Sequence, residues 1–139
     1  MKSFVVDASV VLKTILNESD VVVNKFSKIL EDARDKKVSL SSSKLLDLEV
    51  GNGLRFALKD KNEAVNAFRI FCHLPIKTLV LTDVQKENAI STSIDLGTTV
   101  YDTSYHILAK AKNAVFLTCD EEYFKKAKEL GDIEFISSK

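Results

Sequence analysis

Short apolar runs with strand character alternate with longer stretches of helical spacing along the chain, and this alternation limits the fold more than any other feature. The first run is aromatic and β-branched, whereas residues 21–35 carry apolar side chains three and four positions apart. The predicted strands are residues 4–6, 38–40, 77–81, 114–117 and 133–136. The pattern predicts an α/β protein with a parallel sheet, helices on both faces and right-handed crossovers.

Capping residues and glycines set the predicted helix ends. The serines at 41–43 offer N-caps for a helix over residues 44–58, and Gly97 is a suitable residue to end a helix that begins at 83. One face of the 44–58 helix groups Leu45, Glu49, Asn52 and Phe56. The same helix contains Gly51 and Gly53, which weaken an isolated helix, so we expect close packing at both positions.

Length and composition favour one soluble domain. The 139 residues can bury a core of their own, and we predict a single domain over residues 1–139. Lys+Arg and Asp+Glu both number 20, so the chain lacks the basic surplus typical of nucleic-acid-binding proteins. Cys72 and Cys119 form no C-x-x-C pair, which argues against zinc and a disulfide framework. With no membrane-length apolar run and no signal peptide, we expect a cytoplasmic location.

Several common catalytic motifs are missing from the sequence. Residues 51–53 lack the further glycine of a dinucleotide loop and the Gly-Lys-Ser/Thr of a P-loop. No G-x-S-x-G elbow occurs. His73 and His106 have no cysteine or acid at ligand spacing that would suggest zinc. The chemistry of the chain therefore has to be sought among its acids.

Four acids occupy strand-end or apolar positions. Asp7 follows the first predicted strand and Asp120 the fourth, while Asp102 opens the helix that leads into the fourth strand. Glu49 lies on the partly apolar face of the 44–58 helix. In parallel sheets, ligands bind beyond the carboxyl ends of the strands. Clustered carboxylates repel one another unless a cation offsets the repulsion, and Mg²⁺ or Mn²⁺ suits such oxygen ligands.

Each acid also has a purely structural explanation. Asp7 can cap the helix that follows it, and acids at helix starts such as Asp102 and Asp120 favour the helix dipole by ~0.3–1 kcal/mol. Glu49 can pair with a lysine at the surface. One at a time the structural explanations are the stronger, whereas the set of four together favours a metal site.

At these acids the sequence resembles the PIN-domain nucleases, and in particular the toxin ribonucleases of VapC-type toxin–antitoxin pairs. Residues 5–9, Val-Val-Asp-Ala-Ser, resemble the opening strand of the family with its first acid. Residues 48–55 resemble its E-x-x-N helix, and residues 101–105 its helix-opening aspartate followed by a tyrosine. Residues 117–120, Leu-Thr-Cys-Asp, resemble the closing T-x-D. The four motifs occur in the family's order and span essentially the whole chain.

The resemblance implies a three-layer α-β-α sandwich with a central parallel sheet of four or five strands, and metal-dependent endonucleolytic cleavage of RNA. It implies that Mg²⁺ or Mn²⁺ is held by Asp7, Glu49, Asp102 and Asp120. It gives Ser9 and Thr118 the role of orienting carboxylates, and gives Asn52 that of supporting Glu49 or contacting substrate. It also implies a homodimer and a small antitoxin protein that blocks the site.

Two other functions stay open at the level of sequence. The first is a catalytically idle PIN-like module that binds RNA or protein, which the presence of all four acids disfavours. The second is a phospho-acceptor receiver domain, which shares the alternating architecture. The receiver lacks support because no acidic pair precedes Asp7.

Overall fold

The computed structural model describes residues 1–138 as strands and helices in alternation. The strands are β1 (Lys2–Val6), β2 (Val38–Ser43), β3 (Lys77–Leu79), β4 (Val115–Thr118) and β5 (Ile133–Phe135). The helices are α1 (Ala8–Ile15), α2 (Asp20–Arg34), α3 (Leu45–Ala57), α4 (Lys61–Cys72), α5 (Asp83–Leu96), α6 (Val100–Ala111) and α7 (Glu121–Ala127), followed by a 3₁₀ turn at Lys128–Leu130. The strands form one five-stranded parallel sheet in the order β3-β2-β1-β4-β5. The predicted parallel α/β sheet is therefore confirmed.

Strand β1 lies at the centre of the sheet, and its last three residues are buried. Val5 and Val6 are fully buried, as expected for a β-branched run covered on both faces. On one side Phe4 is in register with Leu40 of β2, and on the other Val5 is in register with Phe116 of β4. The residue after β1 therefore emerges between two neighbouring strand ends.

The strand order places the helices in two layers. The chain moves outward from β1 through β2 to β3 and then crosses back to β4 and β5. Right-handed crossovers put α1–α4 on one face and α5–α7 on the other, and the packing of α1 on α3 and of α5 on α6 agrees. The direction of travel reverses between β1 and β4, which is where open α/β sheets form their crevice.

One local expectation was wrong. The serines at 41–43 belong to β2, where Ser42 is fully buried and its hydroxyl donates to the Val6 carbonyl at 2.6 Å. The Ser43 hydroxyl still accepts from the backbone nitrogen of Leu45 at the start of α3, at 3.2 Å. The tertiary surroundings of β2 thus override the local capping pattern.

The two glycines of α3 differ in their surroundings. A Cβ at Gly53 would lie 2.3 Å from Cδ1 of Leu12, so any side chain there would require the Leu12 side chain of α1 to move. A Cβ at Gly51 would meet only ring atoms of Phe68, at 3.8 Å, which is ordinary contact. The expected close packing is found at Gly53 and is absent at Gly51.

Candidate metal centre

Asp7 is the most buried acid of the proposed set. It follows the last residue of β1, caps α1 and is 7% exposed. Its Oδ1 accepts from the backbone nitrogens of Ser9 at 3.0 Å and Val10 at 3.3 Å, and from the Ser9 hydroxyl at 2.6 Å. The strand end and the cap together fix the carboxylate at the carboxyl edge of the sheet.

Ser9 and Thr118 connect this carboxylate to the end of β4. The Thr118 hydroxyl donates to Asp7 Oδ2 at 2.6 Å and accepts from the backbone nitrogen of Asp120 at 3.0 Å. The Ser9 hydroxyl accepts from the backbone nitrogen of Cys119 at 2.8 Å. Since each hydroxyl both donates and accepts, the loops after β1 and β4 are held together around Asp7.

Glu49 is held by a tyrosine that the sequence interpretation left without a role. Tyr105 of α6 is 1% exposed, and its hydroxyl donates a hydrogen bond to Oε1 of Glu49 in α3. The ring of Tyr105 stacks on Phe116 of β4 with the centroids 6.1 Å apart. Tyr105 stands three residues after Asp102, and this spacing places both side chains on one helix face. The spacing was the sequence signal that could have identified Tyr105 as a residue of the site.

Asp102 and Asp120 both lie in helix starts. Asp102 is in the first turn of α6, where its backbone nitrogen donates to the hydroxyl of the capping residue Thr99 at 3.1 Å. Asp120 caps α7 and accepts from the backbone nitrogen of Tyr123 at 3.0 Å. The structural roles considered for these two acids are thus present in the fold.

A cleft of about 460 Å³ collects most of the candidate residues. Its lining includes Asp7, Ser9, Glu49, Asn52 and Asp102, together with Tyr105. Thr118 lies behind Asp7, and Asp120 is not part of the lining. Within residues 1–138, no three Asp, Glu, His or Cys side chains stand close enough to form a finished metal-binding group. The fold therefore gathers three acids in one cleft without closing them into a cage.

Burial dominates the electrostatics of the cleft, and the charge of Asp102 adds to it. Burial is the main cause that raises the pKa of Asp7 to about 6, and the charge of Asp102 adds to it against hydrogen bonds from Ser9 and Thr118. Burial also raises the pKa of Glu49, again with Asp102 contributing, although the Tyr105 hydrogen bond lowers it. Burial raises the pKa of Asp102 as well, and Asp120 adds repulsion. The acids sense one another's charge although Asp120 lies outside the cleft.

The donor set of the cleft fits a hard divalent cation. Its polar groups are carboxylate, amide and hydroxyl oxygens, the ligand types that Mg²⁺ and Mn²⁺ take. Mg²⁺ in proteins usually keeps several waters and is held by one or two carboxylates, so it does not require a closed cage. Asp7 Oδ1 already accepts up to three hydrogen bonds, whereas Oδ2 accepts one and keeps acceptor capacity.

Other reactive side chains near the cleft have structural explanations. Burial raises the pKa of the Cys119 thiol to about 11, which disfavours the thiolate needed for nucleophilic chemistry. His106 is fully buried, with its ring nitrogens 2.9 Å from the Tyr123 hydroxyl and 2.7 Å from the Gly131 carbonyl oxygen. Burial lowers the pKa of His106. Neither residue belongs to a candidate site.

The comparisons with known proteins agree on the fold. No protein-family model and no curated protein sequence matches the chain. Among solved structures, it resembles PAE2754 from Pyrobaculum aerophilum with a TM-score of 0.68 and 22% identity, over 91% of this chain and 86% of that one. It resembles VapBC2 from Rickettsia felis, solved bound to a DNA fragment from its promoter, with a TM-score of 0.69 and 16% identity, over 96% and 98% of the chains.

A third similar structure is VapBC-1 from nontypeable Haemophilus influenzae, with a TM-score of 0.64 and 15% identity, over 97% of each chain. At identities this low, the structural similarity establishes a shared fold alone, and it confirms the PIN-like three-layer arrangement that the sequence resemblance predicted. Within residues 1–138, no helix is both long and apolar enough to cross a membrane.

Proposed function

We propose that this chain is a metal-dependent endoribonuclease, the toxin component of a toxin–antitoxin pair. The observation that carries the proposal is the cleft at the switch point of the sheet, which Asp7, Glu49 and Asp102 line together. The likeness of fold to VapBC structures supports the toxin class. An acid-lined cleft suited to hard cations fits hydrolysis of phosphodiesters better than chemistry based on a thiol or an imidazole.

In this proposal Asp7, Glu49 and Asp102 hold Mg²⁺ or Mn²⁺, and Asp120 acts from just outside through its charge on Asp102. The cation, when bound, supplies activation of water and stabilisation of the charge that develops on phosphate oxygens. Ser9 and Thr118 fix both oxygens of Asp7, so its position is set before any ligand arrives.

Tyr105 performs the matching task for Glu49. Its hydroxyl holds one carboxylate oxygen and leaves the other free to turn toward the cleft. Asn52 lines the same cleft as an exposed amide, in a position to contact substrate or to support Glu49. The hydroxyl groups of Ser9, Thr118 and Tyr105 therefore orient the carboxylates of Asp7 and Glu49.

The deciding experiment measures cleavage of a single-stranded RNA by the purified chain in Mg²⁺. Asp7→Asn and Asp102→Asn should lose cleavage by a factor of 100 or more, on the order of what single electrostatic groups supply in active sites. Asp95→Asn, at an exposed position of α5, is the matched control. Circular dichroism would verify the fold of each variant. Undiminished cleavage in excess EDTA, or by both site variants, would refute the proposal.

The catalytically idle module remains the rival because the acids do not form a closed metal group among the described residues. Calorimetry with Mn²⁺ separates the two. Binding in the millimolar range or tighter that disappears in Asp7→Asn favours the nuclease. No detectable binding favours the idle module.

A homodimer and an antitoxin partner also belong to the proposal. Exposed apolar side chains on and beside α5 and α6 support an association surface: Val80, Val84, Ile90, Ile94, Val100 and Tyr101. Light scattering on the purified chain would report the dimer. Co-expression with a small protein from an adjacent reading frame would test for an inhibitory partner.

A further inference from the structure

Two helices that line the acid-lined cleft each carry an exposed apolar side chain next to an acid. On α3, Leu48 directly precedes Glu49 and is 77% exposed. On α6, Tyr101 directly precedes Asp102 and is 62% exposed. Both apolar side chains line the same cleft as these two acids. The cleft therefore offers accessible apolar surface beside its carboxylates.

The helical spacing relates these two side chains to the interior of the site. Tyr101 lies one turn before Tyr105, whose hydroxyl donates to Glu49. Leu48 lies one turn before Asn52, which is exposed and lines the cleft as well. Tyr105 is 1% exposed, in contrast to Tyr101 one turn earlier. Tyr101 and Leu48 therefore lie at the mouth of the cleft, where a ligand can reach them.

The lining of the cleft has no positive charge to attract a nucleic acid. Within residues 1–138 it includes no Lys, Arg or His, and its only charged groups are carboxylates. The net charge of the whole chain is zero, so the rest of the molecule supplies no compensating excess. Carboxylates repel phosphates, and a bound cation offsets this repulsion only close to itself. Affinity for a strand of RNA in this cleft therefore needs contacts that do not depend on charge, such as base stacking.

The groups at the mouth of the cleft match the chemistry of a nucleobase. Single exposed apolar side chains are ordinary on protein surfaces, but here two of them share one cleft with an amide. A base has two apolar faces, which suit the ring of Tyr101 and the side chain of Leu48. Its edge carries donors and acceptors, and the Asn52 amide both donates and accepts. Stacking and edge contacts together are the usual way in which proteins bind unpaired bases of RNA.

From these features we infer that the mouth of the cleft binds the nucleobase next to the scissile phosphate, with Tyr101 stacked on the base, Leu48 in contact with it and the Asn52 amide at its edge. The inference rests on the proposed ribonuclease function. It makes Tyr101 a substrate-binding residue and requires an unpaired base, so the substrate is single-stranded RNA. It also explains how a chain without a basic surplus holds a polyanion near acids.

Tryptophan fluorescence tests the stacking directly. The chain has no tryptophan, so Tyr101→Trp introduces a single indole at the mouth of the cleft. The full chain is titrated in EDTA with a short oligouridylate, and with an abasic oligoribonucleotide of the same length that has the same phosphates and no bases. Oligouridylate should quench the indole and the abasic strand should not. Quenching by neither strand, or equally by both, would overturn the inference.

Val84→Trp is the matched control for this titration. Val84 is 73% exposed on α5 and does not line the cleft. An indole at this position should respond to neither strand. Quenching of the Val84→Trp indole to the same extent as that of Tyr101→Trp would also overturn the inference, because the base contact would then be unspecific.

Anisotropy of a fluorescein-labelled oligouridylate measures the contribution of the native side chains. Tyr101→Ala should weaken binding about tenfold, within the range of one lost base stack, whereas Tyr101→Phe should keep the affinity of the wild type. Leu48→Ala should weaken binding by a smaller factor. Because none of these changes removes a charge, the slope of log affinity against log salt should stay the same. Wild-type affinity in both alanine variants would contradict the proposed contacts.

Tyr101 is also one of the exposed apolar side chains proposed above for association, and light scattering separates the two roles. A dimer that persists in Tyr101→Ala together with weaker RNA binding would support the base contact. Loss of the dimer in both Tyr101→Ala and Val84→Ala, with RNA binding unchanged, would overturn it. Tyr101 would then belong to the association surface alone.

The fluorescence and binding assays need no cleavage, so the inference and the proposed function can fail separately. Base-dependent quenching without cleavage in Mg²⁺ would reject the nuclease and leave Tyr101 as a base-binding residue. Metal-dependent cleavage whose KM and kcat are unaffected in Tyr101→Ala would reject the base contact alone. Where both hold, Tyr101→Ala should raise KM about tenfold with little change in kcat.

Discussion

Replacing Asp7 with asparagine should stabilise the metal-free protein at neutral pH, and the gain should vanish in acid. Burial raises the pKa of Asp7 from an ordinary value near 3.9 to about 6. At 1.36 kcal/mol for each tenfold change in proton affinity, the charged form opposes folding by roughly 3 kcal/mol. Because the folded-state pKa is the higher one, this group favours the folded state below pH ~4, and that advantage is lost as pH rises through ~6.

The asparagine variant lacks this titration. Its amide oxygen can still accept from Ser9, but the contact with the Thr118 hydroxyl must rearrange, which costs about 1 kcal/mol. At pH 7.5 the net gain in the free energy of unfolding should be roughly 2 kcal/mol. Between pH 4.5 and 7.5, the difference between variant and wild type should change by roughly 2 kcal/mol.

Urea unfolding followed by circular dichroism, in EDTA at several pH values, measures this difference. Glu87→Gln, which neutralises an exposed acid of α5, is the control and should show no such trend. A difference between Asp7→Asn and wild type that stays constant with pH would refute the reasoning. Addition of Mg²⁺ should then stabilise only the wild type, by an amount that grows with concentration as for any ligand of the folded state.

Two further predictions concern the surroundings of the cleft. Tyr105→Phe removes the hydrogen-bond donor to Glu49, so the pKa of Glu49 should rise further. The affinity for Mn²⁺, measured by calorimetry near pH 6, should therefore fall. An unchanged affinity would contradict the positioning role of Tyr105. Gly53→Ala should destabilise the protein because its Cβ would meet the Leu12 side chain. Gly51→Ala should stabilise the protein by up to about 1 kcal/mol, because alanine favours the helix and its Cβ meets only ordinary contacts. Urea unfolding of the two variants compares these effects directly. Equal effects of the two alanines would contradict this account of packing.

Regular patterns along the chain were enough to predict the sheet and the position of Asp7 at the end of its first strand. The β-branched run before Asp7 predicted both the first strand and the position of this carboxylate at its end. Gly97 ends α5 in the left-handed region at φ 69°, as its position suggested. Both features depend on residues close in sequence, where propensity and capping are informative.

Features that depend on distant residues escaped the sequence interpretation. Serines favour helix caps when considered locally, yet Ser42 extends β2 because the Val6 carbonyl accepts from its buried hydroxyl. The bond between Tyr105 and Glu49 joins residues 56 positions apart, and its local signal was limited to the position of Tyr105 on the same helix face as Asp102.

The hydrogen bond from Thr118 to Asp7 spans 111 positions of the chain, and this has a consequence for biosynthesis. While the chain is being translated, the first acid emerges early but the hydroxyl that orients it comes only with β4. Domains generally fold as units during synthesis. A nascent chain of this protein should therefore hold Asp7 in its final position only after β4 has been made, when most of the chain has been synthesised.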